Sequence, residues 1–253
     1  MVDLPSYAWL LIMTGVIAIP ATTCVNLYRG AVATTGERAK ARVVTASAAC
    51  AFYGWVVVSG LLAWVGAYRQ DIPWMGIAAM GAFIAILLAT RIPLISRILA
   101  EPTMAARIVE PQVFRTVGSF FLIVLALGKL PALFAWTAAF GDIAVGLATP
   151  FIANLLRHRP GARAAIVYNL IGLLDGVAGF TIAYLTGSGS GGLLPTVPSS
   201  SDTLDVLPLA LIPTTVVPLT AALSIMSLTR LRLHGRLALE RGPLSAHPDP
   251  VTT

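Results

Sequence analysis

Four charged residues lie inside or at the end of long apolar stretches of the chain: Arg115, Lys129, Asp142 and Asp175. A charged side chain in hydrocarbon costs at least about 2.5–3.5 kcal/mol, so it persists with a partner, with water or with a function. Carboxyl groups placed in this way can exchange a proton or hold a cation. These residues are therefore the first candidates for chemistry.

Asp175 is the sharpest candidate because it lies at the centre of an apolar stretch, where we expect no basic residue at the same depth. Tyr168 lies two helical turns before it on the same face, and Asn169 follows Tyr168. We expect these three residues to bind an ion or a small solute. The alternative is a structural role, in which a neutral Asp175 carboxyl is hydrogen-bonded between helices.

Lys129 and Asp142 are predicted to pair across a helical hairpin with its turn near Trp136. Lys129 precedes Trp136 by seven residues and Asp142 follows it by six. At 1.5 Å per residue, both lie roughly 9–10 Å from the turn. Two roles fit such a pair: a structural clamp, or a gate that opens to take a proton or an anionic group.

A polar stripe is predicted on the helix that contains Lys129. Arg115, Ser119, Ala126 and Lys129 recur at spacings typical of one α-helical face. Because polar groups avoid lipid, this face should point into the protein.

A resemblance to uncharacterised bacterial polytopic membrane proteins covers about 40 residues of the same region. It rests on Gln112-Val-Phe-Arg115, Gly118, the segment Leu130–Ala135, and Gly141-Asp142 through Pro150. The resemblance implies no particular activity. It does imply that Gln112, Arg115 and Asp142 form the centre of interest.

Composition identifies the element type that must position these residues. The chain of 253 residues is 57% apolar and 11% charged, with a mean hydropathy of +0.84. Soluble domains carry about 25% charged residues, whereas a helix needs about 20 apolar residues to cross a bilayer. The sequence therefore predicts an all-α, polytopic membrane helix bundle. Its net charge of +6 lies in short clusters between apolar runs, which argues against a nucleic-acid partner.

We predict about seven transmembrane helices, with these bounds: 7–27, 44–66, 73–95, 115–134, 138–156, 164–186 and 206–229. Fifteen of the seventeen Lys and Arg residues follow the first, third, fifth and seventh of these spans or lie at their ends. Since basic loops are retained in the cytoplasm, the N-terminus should lie outside and the C-terminus inside. Residues 1–241 are predicted to form one domain, and 242–253 a disordered cytoplasmic tail.

The last span carries Pro208, Pro213 and Pro218. Proline removes a helical hydrogen bond, and in a membrane the freed carbonyls must find other partners. The sequence therefore predicts a break in this helix, which is either a static kink or a hinge that coordinates an ion.

No catalytic, metal or cofactor site is predicted. The three histidines (His158, His234 and His247) lie in predicted cytoplasmic segments, and no nucleophile-elbow, zincin or phosphate-loop motif is present. We therefore do not expect an enzyme, although an intramembrane enzyme that holds a lipid headgroup through Arg115 and residues 157–163 is one alternative.

The leading hypothesis is a protein of the bacterial cytoplasmic membrane that binds or translocates a small solute or ion through its bundle, with proton coupling as one mode. Its predicted partners are the lipid bilayer, this solute or ion, and either a membrane-protein partner or further copies of the chain. The other alternative is an accessory subunit of a larger membrane complex, whose buried charges serve assembly.

Overall fold

The structure is a computed structural model that describes residues 3–69, 74–159, 161–187 and 201–240, with side chains as far as Arg232. The described residues are helical and contain no strand. The predicted tail, 242–253, lies outside them.

Nine α-helices and two irregular helical segments account for most of the described residues. The α-helices are α1 (Ser6–Thr35), α2 (Arg38–Trp64), α3 (Trp74–Ala89), α4 (Pro93–Ala100), α5 (Met104–Arg107), α6 (Phe120–Ala126), α7 (Ala132–His158), α8 (Arg163–Thr186) and α9 (Val217–Glu240). A 3-10 helix, Glu110–Ser119, joins α5 to α6, and a π-helical turn, Ile212–Val216, precedes α9. Short 3-10 turns lie at Ala67–Arg69 and Ser201–Asp205.

Among the described residues, six helical stretches are long and apolar enough to cross a membrane, and a seventh is added if the bent pair α3–α4 counts as one span. This agrees with the predicted polytopic membrane bundle of about seven helices. Most predicted spans match helices, and 164–186 matches α8 to within one residue.

The fourth predicted span, 115–134, is wrong by about ten residues. The helical stretch runs over Met104–Ala126, and α6 ends at a turn in which Gly128 adopts φ +68°. Pro131 then precedes the first residue of α7. A left-handed glycine followed by proline is a common way to end one helix and begin another.

The surface of the bundle is apolar over most of its length. Large hydrophobic side chains on α2, α7 and α8 are more than half exposed, among them Val57, Leu61, Leu147, Phe151, Leu174 and Val177. Exposed apolar faces on long helices suit contact with lipid rather than water.

We call the two ends of the bundle the Lys129 end and the Arg159 end, after turns that lie there. The Lys129 end carries the α6–α7 turn and the start of α3, and the Arg159 end carries the α1–α2 and α7–α8 turns. At the Arg159 end, α4 bends 78° away from α3.

The predicted break in the last span is present as the π-helical turn. Pro213 lies within it, and the Trp55 indole donates a hydrogen bond of 2.8 Å to the carbonyl of Thr214. The Thr214 hydroxyl also lies 2.6 Å from the hydroxyl of Ser59. The partners that a broken helix needs in a membrane therefore come from α2 and from the turn itself, where the Thr214 hydroxyl donates a hydrogen bond to the carbonyl of Ala210.

Candidate functional site

Arg115 forms the centre of a charged cluster inside the bundle. Its Nε donates a hydrogen bond of 2.7 Å to Oδ1 of Asp142, and its Nη2 donates to Oδ2 of Asp175. The three side chains are 7%, 21% and 11% exposed, respectively. We call Arg115, Asp142 and Asp175 the charged trio.

All three members lie deep within their spans. Arg115 is eleven residues from either end of the stretch Met104–Ala126, and Asp175 is eleven residues from the end of α8. Asp142 is ten residues, or about 15 Å, from the start of α7. The prediction that Arg115 lies at a helix mouth is therefore wrong, as is the expectation that no basic residue faces Asp175.

The 3-10 geometry of Glu110–Ser119 explains why the Arg115 side chain points into the bundle. Such a helix has 3.0 residues per turn, so residues three apart lie on one face, and runs this long are uncommon. Gln112, Arg115 and Gly118 are spaced in this way, and all three are buried. The predicted α-helical stripe from Arg115 to Lys129 fails for two reasons. A period of 3.6 does not apply as far as Ser119, and α6 ends at Ala126, before Lys129.

Two glycines leave room for the two carboxylates. A Cβ on Gly118 would lie 2.5 Å from Cβ of Asp142, and a Cβ on Gly141 would overlap the carboxyl group of Asp175. The helices can therefore approach closely enough for both acids to reach Arg115.

Gln112 connects the charged trio to α9. Its Oε1 accepts a hydrogen bond of 3.4 Å from Nη1 of Arg115, and its Nε2 donates one of 3.2 Å to Ser224. The carbonyl of Gly172 accepts a further bond of 3.5 Å from Nη1. The 3-10 helix, α7 and α8 therefore bond directly to the guanidinium, and α9 supports it through Gln112.

Lys129 does not join this cluster. It lies in the turn after α6, three residues before the first residue of α7, whereas Asp142 is about 15 Å further along that helix. The predicted Lys129–Asp142 pair is therefore wrong, and Asp142 pairs with Arg115 instead.

Tyr168 and Asn169 lie on α8 about 9–10 Å from Asp175, towards the Arg159 end. The Tyr168 hydroxyl is 2.7 Å from the Thr149 hydroxyl, and Asn169 donates a bond of 2.9 Å to Ser227. Both side chains are buried and join neighbouring helices. Tyr168 and Asn169 therefore do not form the predicted contact cluster with Asp175. Within the part of the chain that the structure describes, Oδ1 of Asn169 is buried and has no hydrogen-bond partner.

A cavity of about 100 Å³ reaches the charged trio from the side of the Lys129 end. All three members line it, as do Phe121 and Leu204 nearer that end. A volume of ~10–15 Å³ suffices for one water molecule, so several waters or a small ion would fit. The carboxylates and the guanidinium supply polar contacts within an otherwise mostly apolar cavity.

The trio contains two acids and one base. Two carboxyl groups face one guanidinium, so the trio would carry one excess negative charge near the middle of the spans if both carboxyl groups were ionised. A charge in this position is neutralised by a bound proton or by a monovalent cation. The cluster therefore has the composition of a site for a single positive charge.

A second polar cluster was not anticipated from the sequence. Glu110 accepts hydrogen bonds of 2.9 Å from Asn26 and 2.7 Å from Arg157. It lies towards the Arg159 end and fixes the start of the 3-10 helix against α1 and α7. Glu110 and Arg157 are 47 residues apart, so no local spacing indicates that they pair.

Within the described ranges, no group of three or more His, Cys, Asp or Glu side chains is arranged to hold a metal ion. The charged trio has two carboxylates, but Arg115 occupies the space between them. This arrangement suits a proton or a weakly held monovalent ion better than a divalent metal.

Residues 72–232 match a protein family defined by a domain of unknown function, DUF8737. The match covers well over half of the chain. The chain belongs to the DUF8737 family. No curated protein and no solved structure matches it. The matched region contains all three charged residues of the trio, whereas α1 and α2 precede it.

Proposed function

We propose that this member of the DUF8737 family translocates a small cation through its helix bundle. The cation is either a proton or a monovalent metal ion. The charged trio is the binding site. Asp175 takes up the positive charge, and Arg115 and Asp142 hold it in position.

The charge balance of the trio carries this proposal. A buried ion pair that only holds two helices together needs one acid and one base, and even such a pair contributes little to stability. A second carboxylate on the same guanidinium adds an uncompensated charge in a place where such charges are costly. Its presence is accounted for if the site is filled by a transported positive charge.

The cavity provides a second line of support. Its lining extends from Leu204, near the Lys129 end, to Asp175 and, one helical turn further, to Gly172. We propose that an ion approaches the carboxylate along this path from the Lys129 end. Transport also requires an opening towards the Arg159 end. The bonds from Arg115 to the Gly172 carbonyl and to Gln112 are the longest of the cluster, at 3.5 and 3.4 Å. We propose that these weak contacts break when Asp175 is neutralised.

The distribution of basic residues supports a membrane location and an orientation for the chain. We place the chain in the cytoplasmic membrane of a bacterium, with its N-terminus outside, because basic residues are concentrated at the Arg159 end. In this orientation the cavity faces the outside, and the tail lies in the cytoplasm.

The alternative is an assembly subunit in which the trio is a fixed clamp. The observation in its favour is that only 11% of the residues in the most apolar stretch of α2 are buried, which leaves a broad face available to lipid or to a partner helix. The two functions make opposite predictions about ion flux.

The experiment is a flux assay in proteoliposomes that contain a pH-sensitive dye. We expect the chain to acidify or alkalinise the lumen when a membrane potential is imposed, and we expect Asp175→Asn to abolish this flux. The matched control is Glu37→Gln, which neutralises an acid that is exposed and paired with Lys40 at the surface. If the dye stays silent, the assay is repeated with Na⁺ and K⁺ gradients.

Flux in Asp175→Asn equal to that of the unsubstituted chain contradicts the proposal. So does the absence of flux for protons, Na⁺ and K⁺ in a chain that is folded and reconstituted. Asp175→Glu keeps the charge, so partial recovery of flux in this variant separates loss of the carboxylate from loss of the fold.

A further inference from the structure

A second and larger cavity lies between α1, α2, α3 and α9, towards the Arg159 end. Its volume is about 680 Å³, within the range of roughly 300–1,000 Å³ found for small-molecule sites. It does not include any member of the charged trio. We call it the α2–α3 cavity.

The shape of the α2–α3 cavity fits a single hydrocarbon chain. Ile77 and Ala89 both line it, and the twelve residues of helix from one to the other rise about 18 Å. One leaflet of a hydrocarbon core about 30 Å thick measures about 15 Å. The cavity is therefore about as long as one leaflet is deep.

Its walls are mostly apolar. Ala48, Phe52, Ala82 and Leu223 are typical of the lining. Ile95 and Leu99 of α4 also line it, because the 78° bend after α3 turns this short helix across the Arg159 end of the cavity. Apolar surface is unfavourable in contact with water, so an apolar space of this size within the spans suits a hydrocarbon chain better than water.

Among the described residues that line this cavity, two buried polar atoms have no hydrogen-bond partner, and both lie towards the Arg159 end. They are Oδ1 of Asn26 and Nη1 of Arg107, which both belong to lining residues. Asn26 is only 2% exposed. Nη1 of Arg107 forms a long ion pair of 3.9 Å with Oε2 of Glu101, a distance too great for a hydrogen bond. Other polar side chains of the lining are bonded within the protein: Thr23, Trp55 and Thr90.

An unbonded buried acceptor and donor are costly unless a ligand completes them. The acceptor, Oδ1 of Asn26, needs a hydroxyl or ammonium group. The donor, Nη1 of Arg107, suits a phosphate oxygen. A glycerophospholipid whose headgroup carries its own hydrogen-bond donor offers both groups at the end of an acyl chain.

We propose that the α2–α3 cavity is a binding site for one such phospholipid, with an acyl chain between α2 and α3 and its headgroup at Asn26 and Arg107. Phosphatidylglycerol and phosphatidylethanolamine have the required donor. Phosphatidylcholine has the phosphate but lacks the donor. The site is separate from the charged trio, so this proposal does not depend on ion transport.

The first experiment measures the lipid that stays with the chain after purification in mild detergent. Gly81 lines the cavity and Gly76 does not, although both lie on α3 and a Cβ on either would meet nothing within 4 Å. We expect Gly81→Phe to fill the cavity and lower the retained phospholipid about tenfold. Gly76→Phe, the matched control, should retain as much as the unsubstituted chain.

The second experiment needs no substitution. Cys24 lines the cavity, whereas Cys50 is exposed and does not. Added phosphatidylglycerol should slow the alkylation of Cys24 by a maleimide without affecting Cys50, and phosphatidylcholine should have less effect. Equal lipid in the two glycine variants, or unchanged labelling of Cys24, overturns the proposal. Equal protection by both lipids overturns the assignment of the headgroup.

Discussion

Arg115→Met is the perturbation that probes the charged trio most sharply. Methionine keeps the length and the apolar stem of the side chain but removes the guanidinium that bonds to Asp142 and Asp175. Both carboxylates then remain largely buried without a basic partner. Breaking a buried ion pair from one side costs about 3–5 kcal/mol.

The expected effect is large enough to measure by thermal unfolding in detergent. For a chain of this size, a change of 1 kcal/mol moves the Tm by about 2–4 °C, so Arg115→Met should lower the Tm by roughly 6–20 °C. Lys129→Met is the control. Lys129 lies in the turn after α6 and outside the trio, so its replacement should change the Tm by no more than a degree or two, roughly the effect of an ordinary surface substitution.

A triple variant separates stability from function. In Arg115→Met with Asp142→Asn and Asp175→Asn, no charge remains in the cluster, and replacing buried charges by neutral groups is often neutral or stabilising. We expect its Tm to return close to that of the unsubstituted chain while ion flux stays absent. The reasoning is refuted if Arg115→Met and Lys129→Met have the same Tm, or if the triple variant transports ions.

Two further predictions concern the packing of the trio and its surroundings. Gly141→Ala should lower both the Tm and ion flux, because the added methyl group overlaps the Asp175 carboxyl and overpacking costs about 1–3 kcal/mol. The control is Gly54→Ala, where the added Cβ meets nothing within 4 Å. Equal effects of the two substitutions would contradict the close approach of Gly141 to Asp175. Outside the spans, burial and the nearby Asp202 raise the pKa of Asp205 from its ordinary value of 3.8 to about 7, although Arg69 opposes this shift. Because the folded chain then binds this proton more tightly than the unfolded chain does, the contribution of Asp205 to stability is fully present below pH 4 and is lost as the pH rises to 7. The Tm of the unsubstituted chain should therefore fall over this range relative to that of Asp205→Asn, and identical pH profiles of the two proteins would contradict the raised pKa.

Much of the bundle could be predicted because long apolar runs have one structural solution in a membrane. The run that forms α8 starts after a basic residue and ends at Gly187, and its predicted bounds are nearly those observed. The bounds of the helical stretch 104–126 were harder to predict, because it is interrupted by the polar residues Glu110, Gln112 and Arg115. A prediction from the mean hydropathy of a window starts the span only where these polar residues end. The predicted span is therefore displaced along the chain towards Lys129.

The candidate site was found in part. Arg115, Asp142 and Asp175 stood out because charges are rare in apolar runs, but their pairing joins residues 27 and 60 positions apart. Helical periodicity relates residues within one element and carries no information on contacts of this range. Gln112, Arg115 and Gly118 are spaced by three and Gly141 precedes Asp142, but neither feature led to a prediction of a 3-10 face or of closely packed helices. These features acquire meaning only once the neighbouring helix is known.

The central claim is that Asp175 exchanges a positive charge with the cavity. Infrared difference spectroscopy of the protein in lipid tests this directly, because a protonated carboxyl group has its own carbonyl absorption. We expect a carboxyl band that changes when the pH or the cation concentration is changed and that is missing in Asp175→Asn. A spectrum in which no buried carboxyl responds to protons, Na⁺ or K⁺ would contradict the account and leave the charged trio as a fixed clamp.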